Sequence, residues 1–462
     1  MPDILVLGAT GYTGRLVTRY LQAHRDRGTF TFAIAGRSKS KLAHLVAELK
    51  LDVVNDVEVV EVDVMNDDEK LLEEVVKRVK VVINLVGPYW RYGTPVVRAC
   101  ARNGVHHVDL TGETHWVKHI IEQYDYLASK TRAIIVPACG FDSIPSDIVA
   151  HLSAKTLRAA LSPSTPVGPS TEVGVGHETG VGVGHSASAF KWVGGMSGGT
   201  LESIMSALEE VPRDVLREGR KAYSISPVQG IPVPPPIRLL YTLPYLTPTA
   251  YGSILPLAPH DVATVQRTWG LLERYSSSSS SPSPQVASDS PQEAHAYGPE
   301  FTYEEFIAAG TGPLAAIRAL AASVGFVVTF MCLRYFTPAR WLARKVGPAS
   351  GSGPSDLQLE KGLIQCTNIT SSAPAPGREQ THVKTSLRGH GDPGYLLTAI
   401  MISEAALALL SPSTLPALGQ KGGVLTPMTA FGDVLIERLE QSGRFEFESA
   451  VVTDPREESR KR

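Results

Sequence analysis

The chain has 462 residues, of which 43% are hydrophobic and 19% are charged, and its formal net charge is -2. The length predicts two domains, and the near-neutral charge excludes the basic field with which a protein attracts nucleic acid, so no nucleic-acid partner is expected. The four cysteines form no CxxC pair, which favours a reducing, intracellular compartment over a disulfide framework or a cysteine zinc site. The N-terminus shows no leader pattern that would predict secretory export.

The first 150 residues alternate short β-branched runs with amphipathic stretches of helical period. This alternation predicts an α/β fold, a doubly wound parallel sheet of the Rossmann type over residues 1–150. The predicted strands are Ile4–Leu7, Phe30–Ala35, Val57–Val62, Val81–Val86, His107–Leu110 and Ala133–Val136. Beyond residue 150 the alternation is lost, so residues 151–452 are predicted to form a second domain of α+β class that binds the substrate.

Two segments are predicted to lack ordered structure. The run Ser276–Gln292 is low in complexity and too polar to bury a core, which predicts a disordered insertion in the second domain. The short charged tail 453–462 is expected to be disordered as well. The repeat VGVGH, at Val173–His177 and Val181–His185, is explained by a glycine-rich strand or hairpin, and no metal site is predicted.

The stretch GATGYTG follows the first predicted strand and precedes a predicted helix. Glycines in this place let the main chain approach phosphate oxygens, and the N–H groups at the start of the helix face the anion. A structural turn is the alternative, but the position after the first of six alternating strands favours a dinucleotide site. The predicted cofactor-binding residues are Gly8, Thr10, Gly11, Tyr12, Thr13 and Gly14.

The end of the second strand distinguishes NAD from NADP. An acidic residue there would bind the ribose 2′-hydroxyl of NAD, but this sequence has Arg37 and then Ser38. A guanidinium group binds phosphate through two parallel hydrogen bonds, so the pattern predicts NADP(H). A solvated basic turn is the alternative interpretation.

Five further motifs complete a pattern along nearly the whole chain. In order after GATGYTG come AGRS at Ala35–Ser38, NLVGPY at Asn84–Tyr89, VDLTGE at Val108–Glu113, GFDSIPSD at Gly140–Asp147 and DPGY at Asp392–Tyr395. The chain resembles the saccharopine dehydrogenase-like oxidoreductases, and within them the trans-acting enoyl reductases of complex-lipid synthesis. The resemblance implies NADPH-dependent reduction of a C=C, C=O or C=N bond in lipid or glycolipid metabolism.

The residues themselves also favour a lipid-type substrate. Saccharopine carries several carboxylates and would need a basic pocket, yet the apolar stretch of residues 230–259 has Arg238 as its single basic residue. An apolar substrate is therefore expected.

Two groups of polar residues follow predicted strands at the carboxyl edge of the sheet. After the fourth strand, Asn84, Gly87 and Pro88 are predicted to bind the cofactor, and the hydroxyl of Tyr89 is a candidate proton donor; a plain strand-to-loop turn is the alternative. After the sixth strand, Asp142 is the second candidate catalytic residue. Asp142 and Ser143 could equally cap a helix that starts at Pro145.

Two other functions remain open from the sequence. Ser197 lies in a G-x-S-x-G motif between a possible strand and a helical run, as in serine hydrolases, but no histidine later in the chain has a distinguishing neighbourhood. The protein could also bind NADP(H) without turnover, as a sensor or scaffold.

The segment Pro313–Leu333 is apolar with Arg318 as its one charge. Arg334, Arg340, Arg344 and Lys345 follow it, with Trp341 among them, an arrangement suited to anionic headgroups. We expect this segment to attach the protein to a lipid droplet or to a mitochondrial or other organelle membrane; a buried core helix and a full membrane span are the alternatives. Eukaryotic proteins in the family that the chain resembles are associated with lipid droplets and membranes. The sequence indicates no oligomeric state.

Overall fold

The structure is a computed structural model, and it describes residues 1–53, 56–65, 69–161, 182–231, 238–246, 248–279, 296–349 and 351–452. The first VGVGH repeat, Val173–His177, lies outside the described residues, as do positions 280–292 of the Ser-rich run and the tail 453–462.

The strands of the described part are β1 Ile4–Leu7, β2 Phe32–Gly36, β3 Val57–Glu61, β4 Val81–Asn84, β5 His106–Asp109, β6 Ile134–Val136, β7 Val183–Val193, β8 Tyr241–Leu243, β9 Ala250–Ser253, β10 Thr302–Thr311, β11 Leu363–Ser372, β12 His382–His390, β13 Gly423–Val424 and β14 Phe445–Val452. The helices are α1 Tyr12–Gln22, α2 Lys39–Leu49, α3 Glu69–Val76, α4 Tyr89–Asn103, α5 Thr114–Thr131, α6 Ile144–Leu161, α7 Gly198–Glu209, α8 Arg213–Gly219, α9 Ala258–Ser279, α10 Pro313–Tyr335, α11 Thr337–Val346, α12 Asp356–Lys361, α13 Thr398–Ala408, α14 Ala417–Lys421, α15 Pro427–Ala430 and α16 Asp433–Gln441.

The first sheet is parallel, with the strand order β13-β6-β5-β4-β1-β2-β3. Strands β1, β2 and β4 are buried along their whole length, as expected where helices cover both faces of a sheet. The strand order reverses between β1 and β4, and a doubly wound sheet binds its ligand outside the carboxyl ends of the strands at that point. This sheet confirms the predicted Rossmann-type fold, with strand ends within two residues of the predicted ones.

The seventh strand of the first sheet comes from the far end of the sequence. Strand β13 pairs in parallel with β6, where Gly423 lies opposite Ile134 and Val424 opposite Ile135. The carboxylate of Asp125 in α5 accepts a hydrogen bond of 2.8 Å from the N–H of Val424. A strand of two residues is too short for a periodic pattern, so sequence alone did not predict this return of the chain.

The second sheet is mixed, with the order β14-β12-β11-β7-β10-β9-β8. Its neighbouring strands run antiparallel except for β7 and β10, which are parallel. Helices α6 and α9 pack against it, around a core that includes Trp269, Phe301 and Tyr303. This sheet with its helices confirms the predicted second domain of α+β class.

The prediction of disorder was wrong for the first four residues of the Ser-rich run. Helix α9 continues through Ser279. The hydroxyl groups of Ser276 and Ser277 donate hydrogen bonds of 3.0 and 2.9 Å to the carbonyl oxygen of Glu273. These hydroxyl groups thus bond to the main chain of the helix itself, which is a common contact of serine in helices.

Helix α10 lies on the surface and is mostly exposed. It runs from Pro313 to Tyr335, and only 11% of its most apolar window is buried. Its buried residues are small: Ala315, Ala319 and Ser323. An opposite stripe of apolar side chains is exposed, formed by Leu314, Ile317, Leu320, Val324, Val328, Met331 and Tyr335. Within the described residues, α10 is the one helix long and apolar enough to cross a membrane, by length and composition alone.

Candidate cofactor site and substrate crevice

The stretch GATGYTG forms the turn between β1 and α1. Gly8 has a φ of +87°, and a Cβ there would lie 3.0 Å from the main chain of Leu85. A Cβ at Gly14 would overlap the carbonyl oxygen of Gly8, so only glycine lets the helix approach the turn this closely. At Gly11 a Cβ would meet a single atom, the Gly8 oxygen at 3.3 Å. The turn is therefore tightly packed at Gly8 and Gly14 and open at Gly11.

The start of α1 presents unpaired hydrogen-bond donors. Gly11 is the N-cap, and no side chain caps the helix. The N–H of Gly11 bonds to the Gly8 oxygen at 3.0 Å, whereas no described residue accepts a hydrogen bond from the N–H of Tyr12 or Thr13. These free N–H groups, together with the positive end of the helix dipole, fit the diphosphate of a dinucleotide.

The side chains of Thr10 and Tyr12 take different directions from this turn. Thr10 lies beside the end of β2, where a Cβ at Gly36 would be 3.4 Å from its Oγ1. The hydroxyl of Tyr12 donates a hydrogen bond to the carbonyl oxygen of Pro354, and its ring packs edge-on against Tyr395 with ring centroids 5.2 Å apart. Burial raises the pKa of Tyr12 to about 12, so its hydroxyl stays a donor at neutral pH. Tyr12 thus links the GATGYTG turn to the chain between α11 and α12.

Arg37 and Ser38 lie at the carboxyl end of β2, as predicted from the sequence. Arg37 is exposed, and no carboxylate in the described part of the chain forms an ion pair with it. Ser38 is the N-cap of α2 and its Oγ accepts a hydrogen bond of 3.4 Å from the N–H of Lys41. The Oγ of Ser38 thus caps α2 as an acceptor while its O–H remains a donor, and the guanidinium of Arg37 is the charged group at this strand end that is free to bind a phosphate.

Asn84 ends β4 at the point where the strand order reverses. Its side chain is fully buried, and its Oδ1 accepts a hydrogen bond of 3.1 Å from the N–H of Val86. Its Nδ2 has no partner among the described residues. A buried donor without a partner costs about 1–3 kcal/mol, so Nδ2 fits a group that the cofactor would supply. Gly87 and Pro88 follow, joined by a cis peptide bond.

Asp142 lies at the same edge of the sheet, after β6. A Cβ at Gly112 would be 3.3 Å from Asp142 Oδ2, so the carboxylate stands over the loop that follows β5. Burial raises the pKa of Asp142 to about 6. The adjacent Phe141 packs edge-on against Trp192 of β7, with ring centroids 5.6 Å apart. Here the second sheet meets the first at the carboxyl edge of the parallel strands, which is where a doubly wound sheet has its ligand crevice.

Comparison with known proteins agrees with this geometry. Residues 4–135 match the family model described as saccharopine dehydrogenase NADP binding domain. Over 452 residues the chain is 31% identical to the trans-acting enoyl reductase of Mycobacterium ulcerans, with 96% of each chain covered. It is 30% identical over 453 residues to the trans-acting enoyl reductase of Mycobacterium bovis, again with 96% of each covered.

The chain belongs to the saccharopine dehydrogenase-like oxidoreductases, in the branch of the trans-acting enoyl reductases. It is an NADP-dependent oxidoreductase that binds NADP(H). A solved structure, apo histidine-tagged saccharopine dehydrogenase (L-Glu forming) from Saccharomyces cerevisiae, is similar over 98% of this chain and 100% of its own, with 13% identity and a TM-score of 0.47.

In this oxidoreductase the hydroxyl of Tyr89 is not free to donate a proton to a substrate. Tyr89 is buried, and its hydroxyl donates a hydrogen bond of 3.0 Å to the carbonyl oxygen of Asn84. The same hydroxyl accepts a hydrogen bond of 3.0 Å from the N–H of Leu110. Burial raises the pKa of Tyr89 well above its usual range. These contacts correct the predicted role: Tyr89 joins the ends of β4 and β5 and so holds Asn84 in place.

The role of Glu113, the last residue of the VDLTGE motif, could not be predicted from the sequence. The carboxylate of Glu113 accepts hydrogen bonds of 2.7 Å from the N–H of Tyr89 and 2.8 Å from the N–H of Trp90. It thereby caps the start of α4 from a different loop. The sequence shows an acidic residue at the end of VDLTGE. It does not show which helix that residue caps, because Glu113 lies 24 positions after the start of α4 and no local pattern links the two.

A pair of buried acids near Asp142 was also missed. Asp261 in α9 and Glu305 in β10 are both buried, and burial raises the pKa of each carboxyl group, with the charge of Glu305 raising that of Asp261 further. Glu305 Oε2 accepts hydrogen bonds of 2.6 Å from Ser146 and 3.0 Å from Tyr303. The negative charge of Asp142 raises both pKa values further. Protonation of one of the two acids would therefore be favoured over two buried negative charges close to Asp142.

The motif around Ser197 has the strand-turn-helix context of a hydrolase but not its chemistry. Ser197 is the N-cap of α7, and its Oγ accepts a hydrogen bond of 3.4 Å from the N–H of Thr200. No described histidine hydrogen-bonds to Ser197, so nothing in the described chain would activate this hydroxyl as a nucleophile.

Proposed function

We propose that this NADP-dependent oxidoreductase reduces a carbon–carbon double bond of a lipid-type enoyl substrate and that it works at a lipid surface. The names of its relatives, which are trans-acting enoyl reductases, favour C=C over C=O or C=N. The observation that carries the proposal is an exposed apolar helix, α10, with its partner α11, which helix α7 joins to the loop that follows β4.

Helix α7 connects the apolar pair of helices to that loop. Ser203 of α7 faces Gly87, where a Cβ would lie 3.9 Å from its hydroxyl. Glu202 of α7 forms an ion pair of 3.2 Å with Arg91 in α4, the helix that begins at the loop. Glu202 also lies 3.8 Å from Arg344 in α11. A lipid held at α10 and α11 would thus be one helix away from the crevice.

The reaction adds a hydride to one carbon of the double bond and a proton to the other. Bound NADPH supplies the hydride. The N-terminus of α1 and Arg37 would hold its phosphates, and Asn84 would pair with a polar group of the cofactor through Nδ2. Asp142 would donate the proton, because its pKa of about 6 keeps a protonated fraction available near neutral pH.

The exposed stripe of α10 supports the lipid surface. Its residues Leu320, Val324, Val328 and Met331 are between 44% and 56% exposed and repeat at helical spacing along one face. A contiguous apolar face of this length is unusual on a protein that contacts only water. We propose lipid-droplet or membrane association from it.

The test is to purify the protein from a cell lysate, identify any lipid that accompanies it by mass spectrometry, and then measure NADPH oxidation. The substrates are that lipid and a panel of long-chain acyl thioesters, each supplied as an α,β-unsaturated form and as a 3-oxo form. We expect oxidation with the unsaturated form. If NADPH is oxidised with the 3-oxo form alone, the substrate is a ketone and the proposal of an enoyl substrate is wrong. Tight NADPH binding without oxidation of any substrate would make the protein a sensor or scaffold.

A further inference from the structure

The basic residues that follow α10 are not equally available to a lipid headgroup. The guanidinium of Arg344 pairs with Glu209 of α7 at 2.8 Å, and that of Arg340 lies 3.2 Å from the same carboxylate. The ammonium of Lys345 stands over the ring of Trp341, 4.9 Å from its centroid. Of the four cations that the sequence places together, only Arg334 has no such partner in the described chain.

A second cation that has no carboxylate partner among the described residues comes to the same place from another helix and lies against an aromatic ring. Arg220, the C-cap of α8, lies with its guanidinium carbon 5.5 Å from the centroid of Phe330 in α10. Phe330 precedes Arg334 by four residues, so both project from one side of α10. Neither Arg220 nor Arg334 forms an ion pair with a carboxylate of the described residues.

The two guanidinium groups influence each other. Burial lowers the pKa of Arg220, and the positive charge of Arg334 lowers it further. Two cations held near each other without an anion are electrostatically unfavourable, and a shared anion would relieve the repulsion. The apolar stripe of α10 ends close to Arg334 in sequence, because its last two members are Met331 and Tyr335, which are 50% and 67% exposed.

We propose that Arg220 and Arg334 form a phosphate site that binds the headgroup of an anionic phospholipid while the stripe of α10 contacts the acyl chains. Guanidinium groups match the geometry of phosphate and keep their charge at a membrane interface. The inference rests on the proposed attachment to a lipid surface and adds which lipids the surface must contain. It also orients the protein, because the site lies at one end of the stripe.

The test is flotation of the purified full-length protein with vesicles of phosphatidylcholine alone and with vesicles that also contain phosphatidic acid. Arg220→Gln and Arg334→Gln are compared with Arg318→Gln, which removes the same charge from the exposed opposite end of α10. We expect wild type to prefer the anionic vesicles, each site variant to lose about fivefold in affinity for them, and Arg318→Gln to stay near wild type. Unchanged NADPH affinity shows that the variants fold.

Equal losses in all three variants would show general charge attraction and overturn the site. Equal binding of wild type to both kinds of vesicle would overturn it as well, while the lipid-surface proposal would stand. If wild type binds neither kind of vesicle, both the proposed attachment to a lipid surface and the proposed headgroup site are wrong. A separate experiment titrates inorganic phosphate and measures thermal unfolding of wild type and of the double variant Arg220→Gln, Arg334→Gln. If phosphate stabilises wild type but not the double variant, and neither protein binds vesicles, the ligand is a soluble phosphate and not a lipid.

Discussion

The carboxylate of Asp142 stands over Gly112, so that a Cβ at position 112 would be 3.3 Å from Oδ2. This contact brings together the loops that follow β5 and β6, which are separated by 30 residues of sequence. It leaves the carboxylate at the crevice edge, where no described residue donates a hydrogen bond to it. The carboxylate is thus available to a substrate, because no structural hydrogen bond from the described residues occupies it.

Replacing Asp142 tests its role as the proton donor. Its pKa is raised to about 6, so the protonated form dominates below that pH and is lost as the pH rises through it. We expect kcat/KM to fall about tenfold per pH unit well above pH 6, and Asp142→Asn to lower kcat by roughly 100-fold or more. NADPH affinity should stay within about twofold by fluorescence titration, since the residue does not hold the cofactor's phosphates. A flat pH profile and an active Asn variant would remove Asp142 from the chemistry.

Arg37 should set the preference for NADPH over NADH. A charge-assisted contact to the 2′-phosphate contributes about 1.5–3 kcal/mol, which is roughly 10- to 150-fold in affinity. We expect Arg37→Ala to erase most of the preference without weakening NADH. Arg37→Lys should keep part of it, because an ammonium group binds phosphate without the paired hydrogen bonds of a guanidinium. The two affinities are measured by fluorescence titration, and equal values for wild type would exclude this role.

Gly11 and Gly14 should respond differently to the same substitution. Gly11→Val should fold but lose dinucleotide binding, because its Cβ meets one atom of the protein and would project into the open side of the turn. Gly14→Val should lower the thermal unfolding temperature, because its Cβ overlaps the oxygen of Gly8. Gly28→Val is the matched control, since a Cβ there meets no atom within 4 Å. Normal NADPH binding by Gly11→Val would mean that the turn is not the phosphate site.

Features set by neighbouring residues could be predicted from the sequence. The strand β1, the glycine turn and Arg37 lie within 40 residues and carry periodic or compositional signals. The hydroxyl of Tyr89, by contrast, bonds to Asn84 and Leu110, and the cap by Glu113 joins two loops, so their roles depend on how the sheet brings distant segments together. For the same reason the sequence grouped Arg334 with Arg340 and Arg344, whereas the fold pairs those two with Glu209 and brings Arg220 to Phe330, one helical turn before Arg334.

The apolar stripe of α10 should be needed for lipid binding but not for folding. Val324 and Val328 are 45% and 56% exposed, so the double change Val324→Asp and Val328→Asp places charge on the surface. We expect this variant to fold, to bind NADPH and to stay in the soluble fraction when wild type floats with liposomes. The control is Leu71→Asp with Tyr126→Asp, two exposed apolar positions elsewhere. Flotation of the stripe variant, or loss of its fold, would contradict the surface role.

Reduction of a lipid enoyl group by NADPH is tested most directly by following the hydride. The enzyme is incubated with NADPH deuterated at the transferred position and with the accompanying lipid or a long-chain α,β-unsaturated acyl thioester, and the product is analysed by mass spectrometry. We predict a saturated product that carries one deuterium, formed by wild type and lost in Asp142→Asn. A protein that binds the deuterated cofactor tightly and transfers no deuterium to any lipid would contradict it.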